Sequence, residues 1–197
     1  MTTKKTRHIA AGTVAALATA LLGVPGSAGA EVVSSSAAGF IIRVELPVAA
    51  PPADVFSKFF EVGRWWSDAH TYTGKASNLS LKNEVGGCFC EALPGGGFVR
   101  HAVLEYSDKG KIARLSGGLG PLQELGAFGM LSFRFEPADK AKPAAGTKLV
   151  MTYAVNGYQP DKGLAPMAEP VNGVMKEQLE RLKRYVETGQ VTSKAAP

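Results

Sequence analysis

Two cysteines separated by one residue are the feature of this sequence whose spacing most directly suggests chemistry. Cys88 and Cys90 lie in a segment of β-strand character, and residues two apart in a strand point to the same face. The preferred interpretation is that they are small apolar fillers on the inner face of a sheet. The second is a strained, labile disulfide, because their Cα atoms would lie about 6.5–7 Å apart in a strand. The third is a soft-metal site completed by His101.

The register of the hairpin that carries these cysteines decides whether a histidine joins them. A turn over residues 94–97 would pair Leu93 with Phe98. That register predicts three further cross-strand pairs: Cys88 with Val103, Cys90 with His101, and Glu91 with Arg100. A slip of one residue would turn His101 to the other face. Because a metal would still lack a clear fourth ligand, we predict no metal and no cofactor.

Catalytic groups are scarce in this chain. His70 and His101 are the only histidines after residue 30, which limits general acid–base catalysis. Residues 67–70 include Ser, Asp and His, but a triad is assembled in space from rigid elements, and no G-x-S-x-G motif is present. His101 is therefore the one candidate catalytic residue, and the sequence favours a binding protein over an enzyme.

Two segments have the composition expected at the mouth of a cavity. Trp65 and Trp66 carry amphipathic rings that suit an opening which is apolar inside and wet outside, although packing against a sheet is the alternative. Residues 118–129 are long for a hairpin loop and place apolar side chains between glycines. We interpret this loop as a movable flap, with a short core helix as the alternative.

The first 30 residues have the composition of a cleavable export signal. Lysines and an arginine precede an uncharged apolar run over residues 9–24, and Ala28, Gly29 and Ala30 supply the small residues of a cleavage site. The run is short for a membrane span and lacks positive stop-transfer residues after it. We expect cleavage after Ala30 and a periplasmic or secreted protein with no remaining membrane span.

Removal of the signal also changes the charge. The formal net charge falls from +5 to +2, because the first 30 residues contain Lys4, Lys5, Arg7 and no acidic residue. A nearly balanced domain with scattered basic residues argues against nucleic acid as a partner. The remaining length fits one domain with a sizeable core.

Hydrophobic periodicity predicts an α+β domain over residues 40–189, after a flexible leader at 31–39 and before a disordered tail at 190–197. Alternation predicts a first strand over residues 40–48, and a helix follows at 53–61. Six further strands are predicted in an antiparallel meander, near residues 77–83, 87–93, 98–106, 111–117, 128–136 and 147–155. A long amphipathic helix at 171–188 closes the domain, with Gly189 as its C-cap.

This layout resembles the START-like helix-grip superfamily, also called SRPBCC. The resemblance rests on the opening VELPVAAPPADVFSKFFEVGRWWSDA, with its PADVF start and Trp-Trp pair, and on the closing helix MKEQLERLKRYVE. These motifs look typical of the branch that contains polyketide cyclases and heat-shock-chaperone ATPase activators. The resemblance implies a curved antiparallel sheet of about seven strands wrapped around the C-terminal helix, enclosing a cavity for an apolar molecule. It implies no shared chemistry.

The sequence therefore predicts an exported domain that binds an apolar or amphipathic small molecule between sheet and helix. A cyclase-type enzyme and a protein-interaction module are the alternatives, and the oligomeric state is not predicted. The candidate ligand-binding residues are the two tryptophans, the two cysteines, His101 and the apolar side chains expected to face the cavity: Trp65, Trp66, Cys88, Cys90, His101, Leu131, Phe133, Met151, Tyr153, Met175 and Leu179.

Overall fold

A computed structural model of the chain describes Met1 and residues 29–191. Residues 2–28 of the predicted export signal and the tail beyond residue 191 lie outside these described residues. Within residues 29–191, no helix has both the length and the apolar character needed to cross a bilayer.

One antiparallel sheet of eight strands forms the body of the domain, in the order β1-β2-β8-β7-β6-β5-β4-β3. Strand β1 forms an edge hairpin with β2, the chain then crosses to β3 at the opposite edge, and the strands from β3 to β8 form the predicted meander, which closes by pairing β8 with β2. The strand bounds are β1 Gly29–Ser36, β2 Gly39–Val48, β3 Leu79–Leu81, β4 Cys88–Ala92, β5 Phe98–Asp108, β6 Ile112–Gly117, β7 Phe128–Pro137 and β8 Thr147–Asn156.

Four α-helices accompany the sheet within residues 29–191, and the longest packs against its inner face. Their bounds are α1 Pro52–Phe59, α2 Val62–Trp65, α3 Pro121–Glu124 and α4 Ala168–Thr188. Helix α4 buries Met175, Leu179 and Leu182 at helical spacing and ends at Gly189, whose φ of 74° is the left-handed C-cap predicted. The α+β helix-grip prediction is confirmed.

Helix α4 begins three residues earlier than predicted. Pro170 does not stop it, because a proline in the first turn of a helix removes only an N–H that has no partner within the helix. The extra turn brings Met167 and Pro170 beside the cavity described below.

The predicted flexible leader is instead strand β1, so the sheet has eight strands rather than about seven. Ser36 pairs with Gly39 across a tight turn, and Ala30 and Val32 pack against the core. A serine-rich composition disfavours a strand on propensity alone, but the open edge of β2 offers a full row of backbone partners. Tertiary pairing therefore overrides the local preference.

The core divides the inner face of the sheet into a filled half and a hollow half. Phe56 and Phe59 of α1 pack in contact with Phe133 and Phe135 of β7, with ring centroids 4.6–5.7 Å apart. These aromatic rings fill the space near β2, β7 and β8. The other half, beside β3, β4 and β5, is left for the site.

Candidate functional site

A cavity of about 390 Å³ lies between α4 and the β3–β5 end of the sheet. Its walls are mainly apolar and come from Leu79, Phe89, Val171, Val174 and Met175, with Leu119 and Leu122 on the side of α3. The polar groups that reach it are few: His70, Thr71, Tyr72, His101 and Glu124. An apolar space with a small number of polar groups is the usual composition of a small-molecule site.

A β-bulge aims His101 into this cavity. Phe89 pairs with Ala102, but the next residue of β4, Cys90, pairs with Arg100, so His101 is an extra residue on β5. A bulge lets two successive residues face the same way. His101 and Ala102 are both buried on the inner face, while Arg100 is exposed on the outer face.

Glu91 is the partner that fixes His101. Its side chain is fully buried, and its carboxylate accepts a hydrogen bond from His101 Nε2 at 3.2 Å. It also accepts hydrogen bonds from the backbone N–H groups of Tyr72 at 3.1 Å and Thr73 at 2.7 Å. One buried carboxylate thus ties the sheet to the loop at the cavity mouth.

The charge states of this pair follow from burial and hydrogen bonding. Burial opposes ionisation of Glu91, but hydrogen bonds from Thr73, Tyr72 and His101 outweigh it and lower the pKa of the carboxyl. For His101, burial lowers the pKa and Glu91 offsets only part of that effect. Near neutral pH the pair is therefore an ionised carboxylate beside a neutral imidazole.

The neutral imidazole has its proton on Nε2, because that nitrogen donates to the carboxylate. Nδ1 is then an acceptor, and it has no hydrogen-bond partner among residues 29–191. The ring contacts Phe89, at a centroid distance of 5.1 Å, and stacks with Tyr72, at 5.9 Å. Two aromatic contacts and the hydrogen bond from Nε2 therefore orient His101, and Nδ1 remains as an acceptor.

Helix α4 positions Trp66 through polar contacts with the backbone before the mouth loop. Arg181 donates to the carbonyls of Trp65 and Trp66 at 2.9 and 3.0 Å, and Gln178 Oε1 accepts from the Ser67 N–H at 2.8 Å. The indole N–H of Trp66 donates to the His70 carbonyl at 2.9 Å. The wall that Trp66 supplies is therefore fastened to the long helix.

Residues 118–129, predicted as a movable flap, contain the short helix α3 with a fully buried Leu122, which is the alternative that the sequence left open. This segment covers the other side of the mouth. Tyr153 is buried in the core, and its hydroxyl donates to the Gly117 carbonyl at 2.9 Å and accepts from the Leu119 N–H at 3.3 Å. The Tyr72 hydroxyl donates to the Gly120 carbonyl at 3.3 Å. Residues 72 and 120 thus bridge the mouth with a single exposed hydrogen bond.

The structure distributes the sequence-predicted site residues over three environments. Trp66, His101 and Met175 line the cavity. Trp65, Leu131 and Phe133 surround a separate void of about 20 Å³ deeper in the core, and Met151, Tyr153 and Leu179 are fully buried. Cys88 and Cys90 are half-buried on the outer face, opposite in direction to the cavity-lining Phe89.

Two predictions about the cysteine hairpin are wrong. Cys88 and Cys90 are not inner-face fillers, because they form a disulfide with each other on the outer face, which was the second interpretation of their spacing. Glu91 does not pair with Arg100, and Cys90 does not lie opposite His101, because the bulge shifts the register by one residue. The predicted Cys88–Val103 pair is confirmed.

Sequence reasoning missed Glu91 and Tyr72 as parts of the site. Glu91 alternates with the cysteines along β4, so an outward pair at 88 and 90 was the available signal that it faces inward. Tyr72 lies in an irregular loop, where periodicity carries no information. The cavity wall from Val171, Val174 and Met175 was already present in the amphipathic face of the predicted helix.

A curved antiparallel sheet that grips a long C-terminal helix over an apolar cavity defines a helix-grip domain. The sequence profile of the family described as polyketide cyclase / dehydrase and lipid transport matches residues 40–187. The chain belongs to this family, which confirms the resemblance read from its opening and closing motifs.

Solved structures with the same fold come from several sources. A conserved protein of unknown function from Enterococcus faecalis is 14% identical, with a TM-score of 0.56 and coverage of 83% of this chain and 80% of that one. Truncated norcoclaurine synthase from Thalictrum flavum is 15% identical, with a TM-score of 0.52 and coverage of 79% and 97%. At such identities the similarity concerns the fold. No curated protein matches the chain.

Replacing His101 by Gln should flatten the pH dependence of stability. Because burial lowers the pKa of His101 in the folded state, the unfolded chain binds more protons once the pH falls below the ordinary histidine value of about 6.5. The wild-type free energy of unfolding should then fall from pH 7.5 to 5.5. Gln still donates to Glu91 but does not titrate, so urea unfolding of H101Q should show a smaller fall. Parallel curves for the two proteins would contradict a buried neutral His101.

Proposed function

We propose that this domain binds an amphipathic small molecule, with its apolar body between α4 and the sheet and a polar group at His101. The observation that carries the proposal is the cavity of about 390 Å³ with apolar walls and a few converging polar groups. Small-molecule sites commonly have volumes of about 300–1,000 Å³. This cavity favours a small ligand over the protein-interaction module that the sequence left open.

The polar end of the ligand is constrained by the tautomer of His101. Glu91 holds the proton on Nε2, so Nδ1 offers an acceptor and no donor. A ligand hydroxyl or N–H would satisfy it. A carboxylate in the same place would meet a second acceptor and the nearby negative charge of Glu91, which disfavours it. The site therefore suits an apolar molecule with a hydroxyl or amine donor.

Filling the cavity from α4 should weaken this binding. Val174→Phe adds a ring where the half-buried Val174 lines the cavity, whereas Val186→Phe makes the same change at a half-buried position of α4 outside it. With 2-naphthol as probe, titration calorimetry should show a Kd raised about tenfold or more by V174F, equivalent to about 1.4 kcal/mol. V186F should stay close to wild type, and thermal unfolding should verify that both variants fold. Equal affinities for all three proteins would refute binding in this cavity.

A second candidate function is proton transfer on an enclosed substrate. The observation that favours it is the Glu91–His101 pair, in which a carboxylate orients a neutral imidazole whose free nitrogen can accept a proton. The imidazolium formed would be stabilised by the adjacent carboxylate. A substrate with an acidic C–H beside a carbonyl would match this arrangement.

Proton abstraction can be tested without knowing the natural substrate. 2-Acetylnaphthalene has an apolar body and exchangeable protons beside its carbonyl, so wild-type protein in D₂O should accelerate their exchange, followed by proton NMR. H101Q should lose the acceleration, while Glu84→Gln, which changes an exposed carboxyl outside the cavity, should keep it. A general-base contribution is typically about 10²–10⁴-fold. If the protein binds the ketone but does not accelerate the exchange, the proton-transfer function is refuted and the binding function stands.

We also propose that the domain works outside the cytoplasm. The support is the sequence of residues 1–30, which has the basic start, apolar run and small-residue site of an export signal. The location bears on the chemistry, because disulfides persist in oxidising compartments. It is consistent with the paired state of Cys88 and Cys90.

Export should be visible in the amino terminus of the mature protein. When the full chain is expressed in a Gram-negative bacterial host, the periplasmic fraction should contain a form that begins at Glu31. Replacing Ala28 and Ala30 by bulky residues should block cleavage, because the peptidase accepts small side chains at these positions. Intact mass and amino-terminal sequencing would measure both. A full-length cytoplasmic product of the wild type would contradict export.

A further inference from the structure

The Cys88–Cys90 disulfide lies directly opposite the bulge that aims His101. The two cysteines are separated by one residue of β4, and the extra residue of β5 falls between their partners Val103 and Arg100. The sulfurs are on the outer face and the imidazole is on the inner face. The disulfide and the side chain of His101 therefore lie at the same position along the β4–β5 hairpin, on opposite faces of the sheet.

The disulfide shortens β4 at this step. Residues two apart in an extended strand have Cα atoms about 6.6 Å apart, whereas those of Cys88 and Cys90 are 5.3 Å apart. The pairs on both sides of the bulge, Cys88 with Val103 and Cys90 with Arg100, must meet at that reduced spacing. Without the bond, β4 is free to relax toward the extended distance, which changes the spacing that the bulged stretch of β5 has to meet.

A bulge-free register is available to the relaxed hairpin. Starting from the same Cys88–Val103 pair, regular pairing places Cys90 opposite His101 and Glu91 opposite Arg100. His101 would then turn to the outer face with Cys90 and lose its hydrogen bond to Glu91. Because Glu91 also holds the mouth loop through Tyr72 and Thr73, the change would reach the cavity mouth.

We propose that the Cys88–Cys90 disulfide is a thiol–disulfide exchange site for dithiol reductants, and that its redox state sets the position of His101. The sulfurs belong to half-buried residues on an outer face, which leaves them open to attack. Arg100, the exposed cross-strand partner of Cys90, supplies a positive charge beside it. This proposal does not rest on the identity of any ligand.

The exchange balances in two steps. A thiolate of the dithiol attacks Sγ of Cys88, the disulfide bond breaks, and its electron pair leaves on Sγ of Cys90. The positive charge of Arg100 stabilises that leaving thiolate. The second thiolate of the dithiol then displaces Cys88 from the mixed disulfide. The reductant leaves as a disulfide, and the protein has gained two electrons and two protons as a pair of thiols.

Nuclear magnetic resonance of the histidine rings tests the proposal directly. The ¹⁵N-labelled protein, with His101 assigned by H101Q, is recorded before and after dithiothreitol treatment without denaturant, and iodoacetamide trapping with mass spectrometry measures reduction. We expect both cysteines to become alkylated in the folded protein. We also expect His101 to lose the signature of an Nε2–H donor to carboxylate and to titrate closer to its ordinary pKa.

Two variants separate redox control from a general disturbance of the outer face. The double variant C88S/C90S should reproduce the spectrum of the reduced wild type. Val103→Thr, which alters the outward-facing neighbour of Cys88 while keeping the disulfide, should retain the oxidised spectrum. If the double variant fails to fold, the chemically reduced wild type decides. Reduction that requires unfolding, or a folded reduced protein with an unmoved His101 signal, would overturn the proposal.

Discussion

The burial of the Glu91 carboxylate is the constraint on which the site depends. A charge removed from water is costly unless hydrogen bonds replace its hydration, and here three donors do so from two separate parts of the chain. Two of them are backbone N–H groups of the mouth loop, and the third is His101. The same contacts that satisfy the carboxylate therefore hold the loop against the sheet and fix the imidazole tautomer.

This arrangement also requires room for the bulged strand. On the β6 side, a Cβ at Gly117 would overlap the carbonyl oxygen of His101 and the backbone of Ala102, so only glycine accepts the close approach. On the β4 side, the disulfide brings Cys88 and Cys90 together at the same level. The bulge is thus confined between a glycine and a short cross-link. Because the bulge turns His101 inward, this confinement places the imidazole in the cavity.

The division of the inner face explains how one domain provides both stability and a cavity. The phenylalanines of α1 and β7 pack edge to face and fill one half, while α4 spans both halves and is anchored by Leu179 and Leu182. The other half lacks comparable side chains facing α4 and stays open. Arg181 and Gln178 of the same helix hold the backbone that carries Trp66, so the cavity wall is rigidly connected to the core.

Local patterns by themselves determined most of the architecture. The alternation in β2, β7 and β8 and the helical spacing in α4 show which face of each segment must be buried, and this does not depend on which elements are its neighbours. They also placed Trp66, His101 and Met175 near a common space. They did not reveal β1, because an edge strand rich in serine depends on its partner rather than on its own periodicity. Nor did they reveal the Glu91–His101 pair or the outward disulfide. A one-residue bulge moves His101 to the face of the sheet opposite to the one that regular pairing with Cys90 predicts. Only the packing of β5 between Gly117 and β4 decided that register.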